Sequence, residues 1–313
     1  MKQALFGQIV GQKPLLSELD FYLENYRTTK VFPNCLLVAE RGAGKTSIVE
    51  EIARALKKPF HEMLAKDLED SDALFQHVVI PLLAGKEATV FIDEASLLSE
   101  SVTHSFLSIL NPTKNHKNSC VWRKNGQSYT FDFRKLTFIF ATTNPQKIDP
   151  DLKDRLKIFT LDQYNTNDLS TILRQRTPKL TYEPGVLQDI AETLRNNPRN
   201  AVMRADDLES YCRAHKKRKI TKADFSYLRK KLNIMPLGLN KLEVQALKFL
   251  SERPLTSLTT LAAKMHMTVA AIQRDVETRL LATNLIEIEA RGRIITPEGQ
   301  AVLLEVANKN KQK

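Results

Sequence analysis

A glycine-rich segment near the amino end carries residue types suited to holding phosphate. It reads Ala39-Glu40-Arg41-Gly42-Ala43-Gly44-Lys45-Thr46, and Ser47 follows. Backbone N–H groups of such a loop can surround a phosphate, while Lys45 supplies positive charge and the Thr46 hydroxyl can bind Mg²⁺. The pattern from Ala39 to Thr46 resembles a Walker A loop and predicts nucleotide binding by residues 41–47. Ala39 stands where the usual pattern has glycine, and we expect it to tighten the loop without abolishing it.

A carboxylate pair, Asp93-Glu94, follows the apolar run Val90-Phe91-Ile92. One carboxylate at a strand end can hold Mg²⁺ while the other polarises water. An isolated Asp-Glu pair is usually a solvated turn, but this one lies downstream of a phosphate-binding loop. The two motifs together predict ATP hydrolysis, with ATP and Mg²⁺ as cofactors, Thr46 and Asp93 at the metal and Glu94 as the catalytic carboxylate.

The elements that position these residues are short apolar runs separated by helical patterns. The runs are Leu36 to Val38, Val90 to Ile92 and Leu136 to Ala141. Continuous hydrophobicity of this length is typical of parallel strands covered on both faces. After the first run, Ile48, Ile52 and Leu56 recur at helical spacing, which places the glycine-rich turn between a strand and a helix. The fold class predicted is an α/β nucleotide-binding domain, a parallel sheet with helices on both faces.

Further motifs follow in a fixed order along the chain. Val10-Gly11-Gln12 precedes the loop, Ala141-Thr142-Thr143-Asn144 ends the third run, and Asp154-Arg155 and Asn197-Pro198-Arg199 come later. In this order they resemble the RuvB-like AAA+ ATPases, the family of motors that drive branch migration of Holliday junctions. The resemblance extends over about residues 4 to 305. Lys153 is a departure, because family members commonly have Leu-Arg-Asp-Arg at this position.

The resemblance implies roles for these residues. Thr143 or Asn144 is the expected sensor that orients water at the γ-phosphate, Arg199 the second sensor, and Val10 part of the nucleotide site. Arg155 is the expected arginine finger, which acts on the ATP of a neighbouring subunit and so implies a homo-oligomeric ring, expected to be hexameric. The alternative for each arginine is a surface salt bridge.

An inserted β-hairpin is predicted at about residues 119–131. Asn125-Gly126 lies there between strand-forming residues, and a type I′ turn requires positive φ at both central positions. By resemblance, this hairpin would engage a RuvA-like junction-binding protein. Trp122, the only tryptophan, is either a contact anchor or a cross-strand packing residue.

The remainder of the chain predicts two further domains. Strand signals fade after about Asn165, and Leu169, Ile172 and Leu173 begin a helical periodicity. Three helical patterns and a short hairpin then indicate a winged helix. The expected domains are an AAA+ domain at 1–163, a helical lid at 164–235 and a winged helix at 236–313, ending in a basic tail.

Positive charge in the winged helix indicates DNA contact. Arg291 and Arg293 flank Gly292 in the predicted wing, where the resembling family carries a similar Arg-Gly-Arg, and Arg274 faces outward from the last helix. If the strand pleat continues through the wing, both arginines point to one face. The alternatives are pairing with Glu287, Glu289 or Glu298, or a winged helix that docks protein.

Composition agrees with an anionic partner. Lys and Arg total 47 against 36 Asp and Glu, a formal net charge of +11, which favours nucleic acid, although a basic surface would also suit an anionic membrane. The run Lys216-Lys217-Arg218-Lys219 is interpreted as solvated charge, with direct nucleic-acid contact as the alternative. No apolar run is long enough to span a bilayer, and no signal-peptide core follows Met1. The three scattered cysteines fit a reducing compartment. A cytoplasmic location without membrane contact is expected.

The leading functional hypothesis is an ATP-dependent DNA motor that drives branch migration of four-way junctions in recombination and repair. The alternative is an ATP-dependent helicase, clamp loader or other DNA-remodelling factor. A third hypothesis is a DNA-binding regulator without motor activity. The presence of the expected hydrolytic residues argues against it, namely Lys45, Asp93, Glu94 and Arg155.

Overall fold

The computed structural model describes residues 6–111 and 119–311. The chain divides into two compact units, which are described separately. The first comprises Met1–Asp168 with Asn197–Arg199, and the second Leu169–Asn196 with Asn200–Lys313. The three-domain division drawn from the sequence stays a prediction. Within the described residues, no helix is long and apolar enough to cross a membrane.

A five-stranded parallel sheet forms the centre of the first unit, in the order β2-β3-β6-β1-β7. The strands are β1 Cys35–Val38, β2 Phe60–Leu64, β3 Ala88–Asp93, β6 Leu136–Thr142 and β7 Lys157–Thr160. The three central strands contain the three predicted apolar runs and are almost entirely buried, so the predicted parallel α/β fold is confirmed. The edge strands β2 and β7 were not predicted, because each has one open side and lacks a continuous buried run: β2 has only half-buried and exposed residues, and β7 has a single buried residue.

Helices cover both faces of this sheet. Leu19 and Leu23 of one helix and Ile48 and Ile52 of another pack on one face. The other face is covered by residues such as Phe75 and Phe106. The helices of this unit are α1 Lys13–Thr29, α2 Lys45–Leu56, α3 Ser71–Ala73 with its continuation as a π-helix Leu74–Leu83, α4 Glu100–Ile109 and α5 Pro150–Lys153. Short 3₁₀ helices occupy Ala65–Asp67, Ala95–Leu97 and Pro145–Lys147.

The predicted hairpin is confirmed. Strands β4 Ser119–Lys124 and β5 Gln127–Asp132 pair antiparallel. Asn125 and Gly126 form the two-residue turn with φ of 51° and 77°, as a type I′ turn requires. Trp122 is buried, stacks on Phe75 with ring centroids 5.5 Å apart, and donates its indole N–H to Asp72 at 3.0 Å. Trp122 is therefore a packing residue that fixes the hairpin to the helix beneath it.

The second unit begins with helices joined by one short pair of strands. The helices are α6 Thr166–Arg176, which starts in the first unit, α7 Val186–Glu192, α8 Pro198–Ala214 and α9 Lys222–Lys231. The strands are β8 Thr181–Tyr182 and β9 Lys219–Ile220. The helical periodicity of Leu169, Ile172 and Leu173 reflects burial, since Leu169 and Leu173 are fully buried and Ile172 is half-buried.

The carboxyl-terminal part has the predicted winged-helix arrangement. Its helices are α10 Lys241–Glu252, α11 Leu258–Lys264, α12 Val269–Ile272 continuing as a π-helix Gln273–Glu277 and as α13 Thr278–Ala282, and α14 Pro297–Lys311; a 3₁₀ turn at Pro236–Gly238 precedes them. The wing pairs β10 Ile286–Glu289 with β11 Gly292–Ile295. Ile272, Val276 and Leu280 are fully buried and form the apolar face of the helical segment that carries Arg274.

A buried ion pair ties the helical part of the second unit to the winged helix. Arg195 donates two hydrogen bonds to the Glu243 carboxylate, at 2.7 and 3.0 Å, and a third to the Gly238 carbonyl at 3.2 Å. The Glu243 side chain is fully buried and also accepts from the backbone N–H of Asn240, closing a capping box at the start of α10. Leaving such a carboxylate unpaired would be costly, so this contact fixes the two parts to each other.

Candidate functional site

The glycine-rich loop connects β1 to α2, as predicted. Gly42 and Gly44 have φ of 82° and 91°, and Gly44 is the N-cap of α2. No side chain caps this helix, so the first backbone N–H groups of α2 are open to a ligand. An open helix amino end with its partial positive charge is suited to phosphate. Thr46 and Ser47 lie in the first turn, and Arg41 is exposed beside it.

Lys45 lies at the base of this loop. Its side chain is mostly buried, and Nζ donates to the carbonyl oxygens of Ala39 at 3.1 Å and Glu40 at 3.2 Å. Burial lowers the pKa of Lys45 and the Arg199 charge lowers it further, whereas Asp93 and Glu94 raise it. A buried ammonium group that contacts only neutral carbonyl oxygens is strongly stabilised when an anion binds beside it. This agrees with the predicted role of Lys45 in binding phosphate.

Ala39 fits the loop without strain. Its methyl group is buried in the core beneath α2, and its N–H donates to the Thr142 carbonyl at 3.3 Å. The residues that need positive φ are Gly42 and Gly44. The alanine therefore occupies a position where a Cβ atom adds packing, which explains how the loop tolerates the departure.

Three neighbouring strands bring the predicted catalytic groups to one edge of the sheet. Parallel pairing places Val38 beside Thr142 and Ile92 beside Phe140. The carboxyl ends of β1, β3 and β6 therefore meet, and the residues after them converge at the crevice where α/β sheets bind ligands. Lys45, Glu94 and Thr143 belong to these three connections.

The carboxylate pair ends β3 as predicted. Asp93 Oδ1 accepts from the backbone N–H of Glu94 at 2.9 Å. Glu94 itself has a φ of 53°, an uncommon conformation for a residue with a side chain. Backbone strain of this kind concentrates at functional sites, where a side chain must be aimed at a particular point. Both carboxylates are half-buried.

The two candidate sensors contact each other and the carboxylate. The Thr143 hydroxyl donates to Glu94 Oε2 at 3.5 Å, and the Asn144 amide donates to Thr143 Oγ1 at 3.0 Å. The Asn144 backbone N–H is held by Thr142 Oγ1 at 3.0 Å. Thr143 is thus the one of the pair in direct contact with Glu94, and Asn144 is linked to Glu94 through Thr143.

The Asn197-Pro198-Arg199 motif contacts the glycine-rich loop. Asn197 Nδ2 donates to the Arg41 carbonyl at 2.8 Å, and Asn197 Oδ1 accepts from the Arg199 backbone N–H at 2.9 Å. The same N–H also points at the Gly42 carbonyl at 3.3 Å. The backbone of Arg199 therefore lies next to the loop, and its exposed side chain extends from there. The sequence predicted a role for Arg199 but none for Asn197, whose partner Arg41 is 156 residues away.

Gln12 and Tyr164 form a second group to which the sequence assigned no role. Gln12 exchanges two hydrogen bonds with the backbone of Asp162, at 2.8 and 2.9 Å. Tyr164 is buried and hydrogen-bonded to Gln12, and its hydroxyl lies 3.7 Å from the point where a Cβ on Gly44 would be. These contacts hold the segment that contains the half-buried Val10 next to the end of β7. No local pattern marks Tyr164, because its role depends on a contact with the start of the chain.

The acidic groups near Asp93 suit a divalent cation. Burial raises the pKa of Glu62 on β2, and the charges of Asp93 and Glu50 raise it further. Within the described residues no three His, Cys, Asp or Glu side chains form a complete metal-binding cluster. Mg²⁺ keeps several waters and needs only one or two protein ligands beside substrate phosphates. Thr46 in α2 and Asp93 at the end of β3 therefore fit Mg²⁺ bound together with a nucleotide.

Arg155 does not lie with these residues. It precedes β7 by two positions, and β7 pairs with β1 so that Lys157 is opposite Cys35. Arg155 is thus at the amino end of the strands, whereas the glycine-rich loop follows their carboxyl end, roughly 13 Å further along a four-residue strand. Its guanidinium donates to the Leu107 carbonyl. Arg155 therefore lies away from the nucleotide loop of its own chain.

The three arginines predicted to contact DNA differ in their surroundings. Arg291 lies in the exposed turn of the wing. Arg274 is exposed and pairs with its neighbour Asp275 at 2.7 Å. Arg293 is mostly buried and donates to Glu277 at 2.6 Å, where the Glu277 side chain is only 6% exposed. The expectation that Arg291 and Arg293 share one face is wrong, because β11 begins at Gly292 and Arg293 points into the domain.

Comparisons with known proteins agree with this geometry. Residues 35–163 match the ATPase family associated with various cellular activities (AAA). Residues 236–304 match the RuvB C-terminal winged helix domain. The chain thus contains a nucleotide-binding AAA domain followed by a winged helix.

Relatives match nearly the whole chain at low identity. The Holliday junction branch migration complex subunit RuvB of Wolbachia sp. subsp. Brugia malayi (strain TRS) is 25% identical over 303 residues, 94% of this chain and 90% of the relative. The subunit of the same name from Ehrlichia chaffeensis (strain ATCC CRL-10679 / Arkansas) is 26% identical over 319 residues, 97% and 93% of the two chains.

A solved structure has the same fold along almost its full length. The Thermotoga maritima RuvB Holliday junction branch migration motor gives a TM-score of 0.75 at 22% identity, covering 96% of this chain and 99% of that one. The chain therefore contains an AAA ATPase domain followed by a RuvB C-terminal winged helix domain, and it is similar along nearly its whole length to RuvB proteins at low identity.

Proposed function

We propose that this protein is an ATP-driven DNA motor that promotes branch migration of four-way junctions. The observation that carries the proposal is the complete set of hydrolytic groups in a chain that also carries a RuvB-type winged helix. Lys45, Glu94 and Thr143 belong to the connections that follow three adjacent strands, and the backbone N–H of Arg199 contacts the same glycine-rich loop. The RuvB proteins similar to this chain are named for Holliday junction branch migration.

Within this proposal, hydrolysis follows from the positions of the chain's own groups. Lys45 leaves the carbonyls of Ala39 and Glu40 and pairs with the β- and γ-phosphates, since an anion is a better partner for a buried ammonium. Glu94 accepts a proton from the water that attacks the γ-phosphorus, while the bond to the ADP oxygen breaks. Thr143 orients Glu94 and the water. Mg²⁺, held by Thr46 and Asp93, would neutralise charge on the phosphate oxygens.

The position of Arg155 supports assembly into a ring. An arginine at the opposite end of the strands from its own loop is available to a neighbouring subunit's γ-phosphate. Repetition of one such head-to-tail contact closes a ring when the rotation between subunits is suitable. A hexamer is the proposed state, and its subunits would release Arg155 from the Leu107 carbonyl on assembly.

DNA contact is assigned to the winged helix. Arg291 is exposed at the wing turn and Arg274 is exposed on the preceding helix, so both can reach phosphate. Arg293 supports the wing through Glu277 and contacts DNA only if that ion pair opens.

The hairpin is the proposed contact for a RuvA-like junction-binding protein. Val121 and Tyr129 are exposed on it, and Ile80 and Leu82 are exposed on the helix to which the hairpin is attached. Exposed apolar side chains on a rigid hairpin are suited to a partner surface. Trp122 stays beneath them as the support.

Dissociation of a synthetic four-way junction tests the proposal. We expect the purified protein with ATP and Mg²⁺ to separate the junction into duplex products, faster when a RuvA protein is added, and the Glu94→Gln variant to be inactive. A linear duplex with a single-stranded tail serves as the second substrate. Unwinding of that duplex without junction movement would favour a helicase. ATP hydrolysis without movement of either substrate would favour a loading or remodelling factor.

A further inference from the structure

A second basic site lies at the opposite edge of the sheet from the nucleotide loop. A cavity of about 1110 Å³ opens between the carboxyl ends of α1 and α2 and the residues that precede β3 and β6. The strands are parallel, so this edge is the amino edge of the sheet and is separate from the site already described. Six of its lining side chains are Arg27, Lys30, Lys57, Lys58, Arg134 and Lys135.

Positive charge is in excess in this cavity after local pairing. A further lining arginine, Arg54, pairs with Glu51 at 2.5 Å, and Arg134 pairs with Asp132 at 2.5 Å. Glu87 is the other acidic residue in the lining. Arg27, Lys57 and Lys135 are exposed and form no ion pair with the part of the chain that is described. The cavity therefore has several cations available to an anion.

Lys58 is the most constrained of these cations. Its Nζ donates to the Thr137 hydroxyl at 3.2 Å and lies 5.5 Å from the Tyr26 ring centroid, and Lys30 Nζ lies 5.7 Å from the same centroid. Burial lowers the pKa of Lys58, although the charge of Glu87 opposes this shift. Two ammonium groups on one ring, one of them partly desolvated, gain stability when an anion binds beside them.

Helix electrostatics account for only part of the cluster. Basic side chains are favoured near helix carboxyl ends, which explains Arg27 and Lys30 at the end of α1 and Lys57 at the end of α2. Arg134 and Lys135 precede a strand, where no helix dipole favours them. Helix electrostatics therefore do not explain the position of these two cations in the cavity.

The same helix ends identify the kind of anion. A cradle for a small phosphate uses backbone N–H groups at a helix amino end, whereas α1 and α2 present carbonyl ends here. Contacts must therefore come from long, mostly exposed lysine and arginine side chains. Such contacts suit a nucleic-acid backbone, whose phosphates are met by Lys and Arg without base recognition.

We propose that this basic cavity binds the phosphate backbone of duplex DNA, as a second contact in addition to the winged helix. The choice of DNA rests on the proposed function, in which the protein moves along DNA. The contact carries no sequence information. It holds the strand against the ATPase unit itself.

The test removes three cations at once and measures the salt dependence of DNA binding. In the full-length protein, Arg27→Ala, Lys57→Ala and Lys135→Ala are combined. A control combines Arg176→Ala, Lys179→Ala and Lys248→Ala, which removes the same charge at exposed positions of the second unit. Binding to a fluorescent duplex of two unrelated sequences is titrated at several salt concentrations.

The cavity variant should reduce the slope of log K against log salt by about two to three, since each lost phosphate contact contributes roughly 0.9. Binding should weaken equally for both sequences, while the control keeps the wild-type slope. A variant that carries Arg27→Lys, Lys57→Arg and Lys135→Arg should also keep it. ATP hydrolysis without DNA should be unchanged and reports correct folding.

An unchanged slope in the cavity variant, with normal binding by the wild type, would overturn this inference and leave the proposed function standing. Loss of ring assembly in sedimentation with an unchanged slope would also overturn it, because the cavity would then be a subunit contact. Failure of the wild-type protein to bind duplex DNA would overturn both proposals.

Discussion

The side-chain amide of Asn197 joins the carbonyl oxygen of Arg41 to the backbone N–H of Arg199, with distances of 2.8 and 2.9 Å. One amide therefore holds the glycine-rich loop and the candidate second sensor in a fixed relation. The bond pattern uses both the donor and the acceptor of the amide.

Asn197→Ala should weaken ATP binding by roughly five- to tenfold, since about 1 kcal/mol is lost with a typical hydrogen bond. The loop and Arg199 would no longer be held together before the nucleotide arrives. Nucleotide affinity measured by fluorescence titration provides the readout. Asn200→Ala is the matched control, because Asn200 donates only to the Leu194 carbonyl at 3.0 Å. Equal effects of the two substitutions would contradict a specific role for Asn197.

Gly42→Ala should lower thermal stability more than Asn197→Ala does. Gly42 has a φ of 82°, and a Cβ atom there would lie 2.5 Å from Asn197 Oδ1 and 3.1 Å from Arg199 Cβ. The alanine is thus strained by its backbone and also clashes with Asn197. The double variant Gly42→Ala with Asn197→Ala should recover part of the lost thermal stability. Strict additivity of the two changes in unfolding free energy would indicate that the predicted contact is absent.

Lys45→Ala and Glu94→Gln should separate binding from hydrolysis. Removing the ammonium should weaken ATP affinity, because no other group at the loop base carries its charge. Glu94→Gln should bind ATP normally and hydrolyse it about 10² to 10⁴ times more slowly, the range expected for loss of a general base. Equilibrium binding and steady-state phosphate release are measured on both variants. Wild-type turnover by Glu94→Gln would remove Glu94 from its assigned role.

Arg155→Ala subunits mixed into wild-type rings should lower ATPase activity by more than the fraction of subunits that carry the substitution. Each variant subunit leaves a neighbour's site without its cation, and such a residue contributes about 10³- to 10⁵-fold to the rate. The measurement is ATPase rate against the fraction of variant at constant total protein. Lys179→Ala mixed in the same way is the control and should have no effect. A loss strictly proportional to the Arg155→Ala fraction would indicate action within one chain.

The two wing arginines should behave differently. Arg291→Ala should reduce the salt slope of DNA binding by about one unit without changing stability. Arg293→Ala should lower the unfolding free energy by roughly 1–3 kcal/mol, because Glu277 would be left buried without a partner. Thermal melting and DNA titration of each variant distinguish these effects. A stable Arg293→Ala protein with a reduced salt slope would instead assign that residue to DNA.

Local motifs were predictable from the sequence because neighbouring residues determine them. Asn125-Gly126 encodes its turn through its own φ preferences, and Gly42 and Gly44 mark the loop in the same way. The three central strands were predictable because burial on both faces requires continuous hydrophobicity. The edge strand β2, which contains His61 and Glu62 within Phe60–Leu64, lacks that signal.

Contacts between distant residues were not predictable in this way. The Asn197–Arg41 and Gln12–Asp162 hydrogen bonds span 156 and 150 residues. The direction of Arg293 depends on the residue at which β11 begins and on a π-helical turn that brings Glu277 beneath it. Neither feature has a reliable local signature, so the alternation rule assigned Arg293 to the same face as Arg291.

The location of Arg155 has a consequence for enzymology. Arg155 lies at the opposite end of the strands from the nucleotide loop of its own chain. If Arg155 completes a neighbour's site, as proposed above, catalysis requires at least two chains, and the rate per chain depends on how many chains are present. Dilution below the dissociation constant of the subunit contact would leave every chain folded and able to bind nucleotide, yet catalytically silent.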